Sequence, residues 1–503
     1  MFFTCADARP HGFHLKSGDA RAPVQENSAW VIQSGKKAMI DWEGFSIDQK
    51  EIVRFQQMDT NSYVLNRVVG KSESALLGQL LSNGSVYLIN PNGILIGSNA
   101  YIETASFIAS TLDLLSEDLS GKALRFSGES GKGVINKGII HCPAGDIFLI
   151  GRQVENDGTL SSPRGRQGLL SGCDVLIQPK GAPQILIRSD VVMDAKELAE
   201  NPYALAIRHR GSSTAKEVYL ATEGLCEVSG SIAAPEGGTV HLLGEDVHLL
   251  NGARIDASGA HGGGEILIGG DYQGKNPEIR NAKHVWAGQD TQVRADALEN
   301  GDGGKVIFWS DEATLHYGKI SICGGPEGGN GGLAEVSGHT LEYRGFTDGS
   351  APLGQTGMLL LDPTNIVIGA AATTNTFSAC IPPVTYNINT GVSPNQIRNT
   401  DLQTQLASCN VTVDTSSAGA DTGSITVSSA VTWAANTTLT LNANSFMSIT
   451  AGITNTNATP GFTAMNFTAN GTSAAANDGI LLSGASAVLT TNTGNVTLNG
   501  TSS

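Results

Sequence analysis

The chain of 503 residues is poor in charge, in aromatic rings and, toward its end, in lysine. Charged residues make up 16% and aromatics 6%, against about 25% charged in an ordinary soluble protein. No lysine follows Lys319, and from 371 to 503 the only charged residues are Arg398, Asp401, Asp414, Asp421 and Asp478. The formal net charge is −16. With no basic block, the chain has nothing that holds a nucleic-acid backbone, so no nucleic-acid partner is expected. No run of 18 apolar residues occurs, which leaves no candidate for a membrane-spanning helix. The seven cysteines (Cys5, Cys142, Cys173, Cys226, Cys323, Cys380 and Cys409) form no C-x-x-C pair. That argues against a zinc ribbon, a redox motif or a dense disulfide framework. Cys380 and Cys409 are near enough in sequence to pair, but nothing demands it.

What the chain has in excess is glycine, 62 of 503 residues, against an ordinary ~7%. Lack of a strict third-position period excludes collagen, and 40% apolar residues supply a large core. The chain then divides by composition. Residues 1–20 include Ala6-Asp7-Ala8, an A-x-A pattern like a signal-peptidase site, but the apolar stretch before it is short. They read as a remnant of a signal region, or as chance. Residues 21–135 hold most of the bulky apolar residues at strand-like alternation, as in Ile40, Trp42, Phe45 and Ile47. Residues 136–365 are the Gly-rich zone. Residues 366–503 are rich in Thr, Asn and Ser, with β-branched runs such as Ser424-Ile425-Thr426-Val427. They read as a separate β repeat region that stops in mid-pattern.

The Gly-rich zone repeats itself. Gly138-Ile139-Ile140-His141-Cys142-Pro143-Ala144-Gly145 precedes the strand-like Ile147-Phe148-Leu149-Ile150. Related units start at Gly158, Gly230, Ala253 and Gly318. The unit is a short strand, a Gly/Pro turn, a second short strand and another turn, with a period of about 20–23 residues, which marks a solenoid. Such strands are too short for stable isolated hairpins. Stacked in parallel, each pairs with its equivalent in the next coil, and glycine serves where the chain turns sharply or backbones approach closely. Two stretches break the pattern. Residues 194–200 and 203–207 read as a short helix pair interrupted at Pro202. A second helix is expected from Ser393 as N-cap and Pro394 at the first helical position, through Ile397, Leu402 and Leu406.

Three segments carry a resemblance: Leu65-Asn66-Arg67-Val68-Val69-Gly70, then residues 83–97 with Asn90-Pro91-Asn92-Gly93-Ile94 at their centre, then Ala109-Ser110-Thr111-Leu112-Asp113. Together they resemble the N-terminal secretion domain of the filamentous haemagglutinin family, the exoproteins of two-partner secretion. Gly269-Gly270-Asp271-Tyr272-Gln273-Gly274 and Leu359-Leu360-Leu361-Asp362-Pro363 extend the likeness over residues 25–365. The resemblance implies an all-β fold, a right-handed parallel β-helix with an N-terminal capping region and small extra-helical helices. It also implies a partner, an outer-membrane transporter with periplasmic receptor domains, through which the chain is threaded unfolded. The secretion domain is then 21–135, and the cysteines are expected to be mostly unpaired and buried. Some members carry an N-P-N-L element upstream; here Asp59-Thr60-Asn61-Ser62 is at best a weak stand-in.

The candidate recognition residues are Asn66, Arg67, Asn90, Pro91, Asn92, Gly93 and Ile94. Asn90-Pro91-Asn92-Gly93 is also a well-formed type I turn sequence, with Pro at the second and Gly at the fourth position. A rigid turn serves both structure and recognition. Asn66 is expected in a neighbouring turn, its amide laddering within the stack. The rival class is a β-helical carbohydrate-active enzyme, which needs paired carboxylates along one groove. Glu245, Asp246, Asp256 and Asp302 lie in turns, and His241 and His248 are seven apart without H-E-x-x-H. No catalytic, cofactor or metal residue is assigned. The expected protein is a secreted, surface-associated adhesin or haemagglutinin of a Gram-negative-type bacterium, meeting a host or bacterial glycan or protein ligand. The other alternative is the stalk of a larger contact-dependent toxin.

Overall fold

The computed structural model describes residues 9–115, 123–179, 185–188, 205–371, 376–378, 385–387, 395–415, 422–471 and 479–500. The chain divides into two compact units, Met1–Ala234 with Val240–Gly244, and Pro235–Thr239 with Glu245–Ser503.

The first unit begins with antiparallel pairing. His14–Ala20 and Val24–Glu26 both fold onto the long strand Ala29–Trp42, with His14 opposite Asp41 and Val24 opposite Val31. From that strand onward the coil strands stack in parallel, Ala29 opposite Ile52 and Lys37 opposite Tyr63. One interior column runs Val53, Leu80, Ile102, Ile140, Leu160, Ser213, Ile232. Each of these is at most 2% exposed, and apart from the small polar Ser213 each is an apolar side chain whose burial contributes roughly 1.5–3 kcal/mol. Another column runs Val134, Val154, Ile207, Cys226. Cys226 is therefore a small apolar filler, and burial raises its thiol far above the usual range. Among the described residues Cys142, Cys173, Cys226, Cys323 and Cys409 are free, with Cys142, Cys226 and Cys409 buried. Cys5 and Cys380 lie outside the described residues.

A polar column replaces the apolar one beside it. Asn136, Asn156 and His209 stack in register. Asn136 Nδ2 donates to Asn156 Oδ1 (2.7 Å), and Asn156 Nδ2 donates to His209 Nδ1 (3.0 Å). His209 Nε2–H then donates to the Ser231 carbonyl (3.1 Å). This chain of donations needs a neutral ring, and burial lowers the pKa of His209 to about 4.

The repeated glycines have a steric cause. A Cβ on Gly158 would lie 2.1 Å from the Gly138 carbonyl oxygen, one on Gly211 2.0 Å from that of Gly158, and one on Gly230 2.1 Å from that of Gly211. In the second unit Gly264, Gly304 and Gly332 stand in the same relation to the carbonyls of Gly238, Gly264 and Gly304. These ladders mark places where successive coils bring backbone against backbone, so no side chain fits.

Outside the coils of the first unit lies an antiparallel sheet of Asp113–Leu114, Leu124–Ser127, Asp174–Ile177 and Ile185–Arg188. Leu114, Phe126, Val175 and Ile177 from this sheet pack with Met39, Leu65, Ile89, Phe148 and Leu170 in one apolar cluster. The outward face of the coil strands is thus a second core.

The second unit is again a stack of short parallel strands. Glu265–Ile268 pairs with Lys305–His316, which pairs with Leu333–Tyr343 and then Met358–Asp362. The ladder continues through Asn410–Asp414, Leu439–Ala443, Thr463–Ala469 and Asn495–Gly500. The Thr/Asn-rich strands therefore extend the same sheet as the Gly-rich ones. The chain is an all-β parallel β-helix, as its repeats and its resemblance imply.

Two local expectations are corrected. Ala206–His209 is a strand, not the end of a helix, because Ile207 and His209 enter the interior columns; residues 189–204 lie outside the described residues. The second helix is Asn399–Gln405 with Arg398 as N-cap, and Asn395–Arg398 before it is a strand paired with Ile366–Gly369. Ser393 and Pro394 lie outside the described residues. Pairing buries Ile397 in the strand, and only the residues beyond the sheet edge are left to coil.

Candidate functional site

The seven candidate residues fall on two adjacent coils. Asn66 and Arg67 belong to Tyr63–Val68, whose parallel partner is Ser85–Ile89, with Arg67 opposite Ile89. The turn 90–93 follows Ser85–Ile89 and leads into Ile94–Ile96.

Asn66 is in a strand, not in the expected turn, and its side chain is fully buried. Its Oδ1 accepts the Trp42 indole Nε1–H (3.0 Å), and its Nδ2 donates to the Tyr87 carbonyl (3.3 Å). The amide therefore spans coils and satisfies the one polar atom of a buried indole. Arg67 faces outward. Its guanidinium meets Asp113 Oδ1 through Nε (3.0 Å) and Nη2 (2.9 Å), tying the coil to the edge of the antiparallel sheet.

The turn closes with Gly93 N–H donating to the Asn90 carbonyl (3.1 Å). Among the described residues only Asn27, Glu236 and Gln273 are non-glycines with positive φ, so Asn92 keeps the negative φ of a type I turn. Gly93 has φ +114°, a conformation side-chain-bearing residues rarely adopt. Asn90 is fully buried and uses its whole amide. Its Nδ2 donates to the Ser72 carbonyl and to Ser74 Oγ, both at 2.9 Å, and its Oδ1 accepts from Asn92 N and Asn92 Nδ2, both at 2.9 Å. Asn92, half-buried, also donates to the Gly70 carbonyl (2.9 Å). Ile94 is buried in the interior. Pro91 alone of the four turn residues is exposed, and its carbonyl accepts from Ser130 Oγ (2.6 Å).

Both asparagines thus turn their amides into the protein, and Pro91 is the exposed part of the turn. Gly70, at the end of the first resemblance segment, completes the arrangement with Ser72, Ser74 and Ser130, which carry no motif because each acts through one carbonyl or hydroxyl. At 59–62 the upstream segment forms its own small turn, with Asp59 Oδ1 accepting from Asn61 N and Ser62 Oγ, both at 2.9 Å. The Ser62 hydroxyl holds the Asp59 carboxyl below its ordinary range.

The carboxylates considered for catalysis sit in structural roles. Glu245 pairs with Lys283, Asp246 with His284 (2.8 Å), Asp256 accepts from Ser258 N (2.9 Å), and Asp302 accepts from Asn330 N (2.7 Å). Burial lowers the pKa of His248 to about 4. Among the described residues no group of three or more His, Cys, Asp or Glu is arranged to hold a metal ion.

Comparison with known proteins covers both the fold and these coils. The family model described as the TPS secretion domain matches residues 14–266. A heme/hemopexin-binding protein of Haemophilus influenzae strain Rd is 28% identical over 342 residues, which is 62% of this chain and 35% of that protein. A second heme/hemopexin-binding protein of Haemophilus influenzae is 44% identical over 84 residues, 17% of this chain and 9% of that protein. The chain thus spans about a third of the first relative and less of the second. The crystal structure of the HMW1 secretion domain from Haemophilus influenzae superposes with a TM-score of 0.54 at 29% identity, covering 69% of this chain and all of that one.

Proposed function

Because the chain belongs to the family of TPS secretion domains, we propose that it is the export-directing part of a two-partner secretion exoprotein, carried across the outer membrane by a cognate transporter. Residues 21–135 carry the recognition, and the turn 90–93 with Asn66 and Arg67 shapes the surface that the transporter reads. The secreted protein acts at the cell surface as an adhesin, meeting a glycan or protein on a host or bacterial cell. The observation that carries the export reading is the family match over 14–266, which contains every one of the seven candidate residues.

The test is export with and without the transporter gene, for the parent chain and for Pro91→Arg. That substitution changes the exposed tip of the turn and leaves its buried amides in place. Loss of export without the transporter, and a reduced rate for Pro91→Arg, are expected. Equal export in all four cases overturns the reading. A second reading, capture of heme or hemopexin, is supported by the names of the two Haemophilus relatives. Titration of the purified chain with heme and with hemopexin separates it from adhesion.

A further inference from the structure

Residues 269–281 leave the second unit's coil between Glu265–Ile268 and Ala282–Ala287 and lie as a strap on the outside of the parallel sheet. The sheet beneath is unusual. In its register Leu267, Ile307, Glu335 and Leu360 line up across four strands. The neighbouring outward positions Glu265, Lys305 and Met358 are not buried, yet all four residues of this row are. Glu335 is therefore a carboxyl placed in an apolar row and sealed from water.

Four contacts hold the strap down. Asp271 accepts from Lys305 Nζ (2.7 Å), which also meets Glu265 (3.0 Å). Gln273 N–H points at the Glu335 carboxyl, 3.0 Å from Oε2 and 3.3 Å from Oε1. Gly270 and Gly274 lie on the Trp309 indole, where an added Cβ would come within 2.7 and 2.4 Å of the ring. Asn281 Nδ2 donates to the Gly274 carbonyl (3.1 Å) and to Asp311 Oδ1 (2.9 Å). Gln273 adopts φ +53° to make its contact, one of only three non-glycine positive-φ residues among those described. A strained residue whose N–H meets a buried carboxyl is a junction that can be released. Gly269 (φ +81°) and Gly274 (φ +59°) supply the flexible points.

We propose that this strap is a proton-dependent latch: it lies closed over the sheet while Glu335 is protonated, and lifts as that carboxyl ionises. The charged groups around Glu335 set the direction. The strap brings Asp271 and Tyr272 toward it, and the strands beneath bring Ser337 and Asp362. Burial raises the Glu335 pKa to about 7, the Gln273 N–H and the Ser337 hydroxyl oppose this, and Asp362 and Asp271 add to it. With the strap lifted, water reaches the carboxyl and its pKa returns toward the ordinary ~4.3. The closed state then binds more protons than the open one between these values. Closure is firmest below about 4.3, weakens as pH rises from there to about 7, by on the order of a hundredfold in the opening equilibrium, and changes little above that.

Hydrogen exchange of the full chain between pH 5 and pH 8 tests this, after correction for intrinsic exchange. Amides of 271–276 are expected to lose about a hundredfold in protection across that range, while amides of Lys305–His316 serve as the internal reference. In Glu335→Gln the strap amides should become insensitive to pH. Asn281→Ala, which removes the uncharged tie to the Gly274 carbonyl and Asp311 and leaves the charges around Glu335 in place, should lower protection at every pH and keep the slope. A strap whose protection is flat in the parent chain, or equally sloped in Glu335→Gln, overturns the proposal. The carbon-13 titration of the Glu335 carboxyl in the parent chain gives a reading independent of any variant. A midpoint near 7 supports the latch, and one below 5 refutes it.

Discussion

Replacing Asn90 by alanine is the sharpest probe of the candidate site. The side chain makes four hydrogen bonds, and its removal takes a partner from the Ser72 carbonyl, Ser74 Oγ and Asn92 N, and one of two from Asn92 Nδ2, which keeps the Gly70 carbonyl. They do not count equally. Ser72 is exposed and Asn92 half-buried, so water replaces part of what is lost there. Ser74 is fully buried, and a buried polar group left without a partner costs about 1–3 kcal/mol. With the loosened turn added, the expected loss is about 2–4 kcal/mol, a large share of the ~5–15 kcal/mol available to a folded domain. Pro91→Ala, at an exposed ring with no side-chain hydrogen bond, should cost only about 0.4–1 kcal/mol through the unfolded chain. Urea denaturation of the purified chain, followed by far-UV circular dichroism and by Trp fluorescence, measures both. A loss for Asn90→Ala no larger than that for Pro91→Ala would refute the view that this amide holds the turn. The comparison also governs how export data are read, because a defect in Asn90→Ala reflects folding unless Pro91→Arg shows it too.

Acid should destabilise the chain through its buried neutral histidines. Burial lowers His209 and His248 to about 4 and His316 to about 3. Above pH 6.5 folded and unfolded forms are both neutral and nothing is lost. Below it only the unfolded form takes protons, so stability falls from 6.5 down to about 4, by on the order of 3 kcal/mol for each fully sealed ring. Denaturation midpoints between pH 7 and 4.5 should show this slope, and His209→Asn, which can keep both hydrogen bonds of the ladder, should flatten part of it; an unchanged slope counts against the ladder. Gly158→Ala places a methyl 2.1 Å from a backbone oxygen and should cost at least as much as an overpacked core, about 1–3 kcal/mol, whereas Gly131→Ala, with no atom within 4 Å, should be near neutral in the same denaturation experiment. Arg67→Ala removes a half-exposed ion pair and should change stability by under about 1 kcal/mol; a loss of export at unchanged stability would place Arg67 in recognition rather than folding.

The repeat of Gly, short apolar run and turn was enough to specify a parallel coil. Columns such as Val53, Leu80 and Ile102 follow from period-two alternation once strands are stacked in register. The closing turn at 90–93 was equally legible, because Pro fixes the second position and Gly the fourth. What was not legible depended on partners far along the chain. Ile207 looks helical beside its neighbours, and only the column of Val134 and Val154 makes it part of a strand. Arg67 finds Asp113 at a separation of 46 residues, and no local signal announces that pair.

Sequence by itself therefore determined the architecture, since a parallel coil is a periodic object and its period is written in glycine and apolar residues. The tertiary structure alone decided which way the informative side chains face. Asn66 and Asn90 turn inward because their amides satisfy a buried indole and a buried hydroxyl, Pro91 is left at the surface, and Glu335 is sealed beneath a strap. Those outcomes depend on which atoms the next coil places opposite, and that register exists only after the chain has wound.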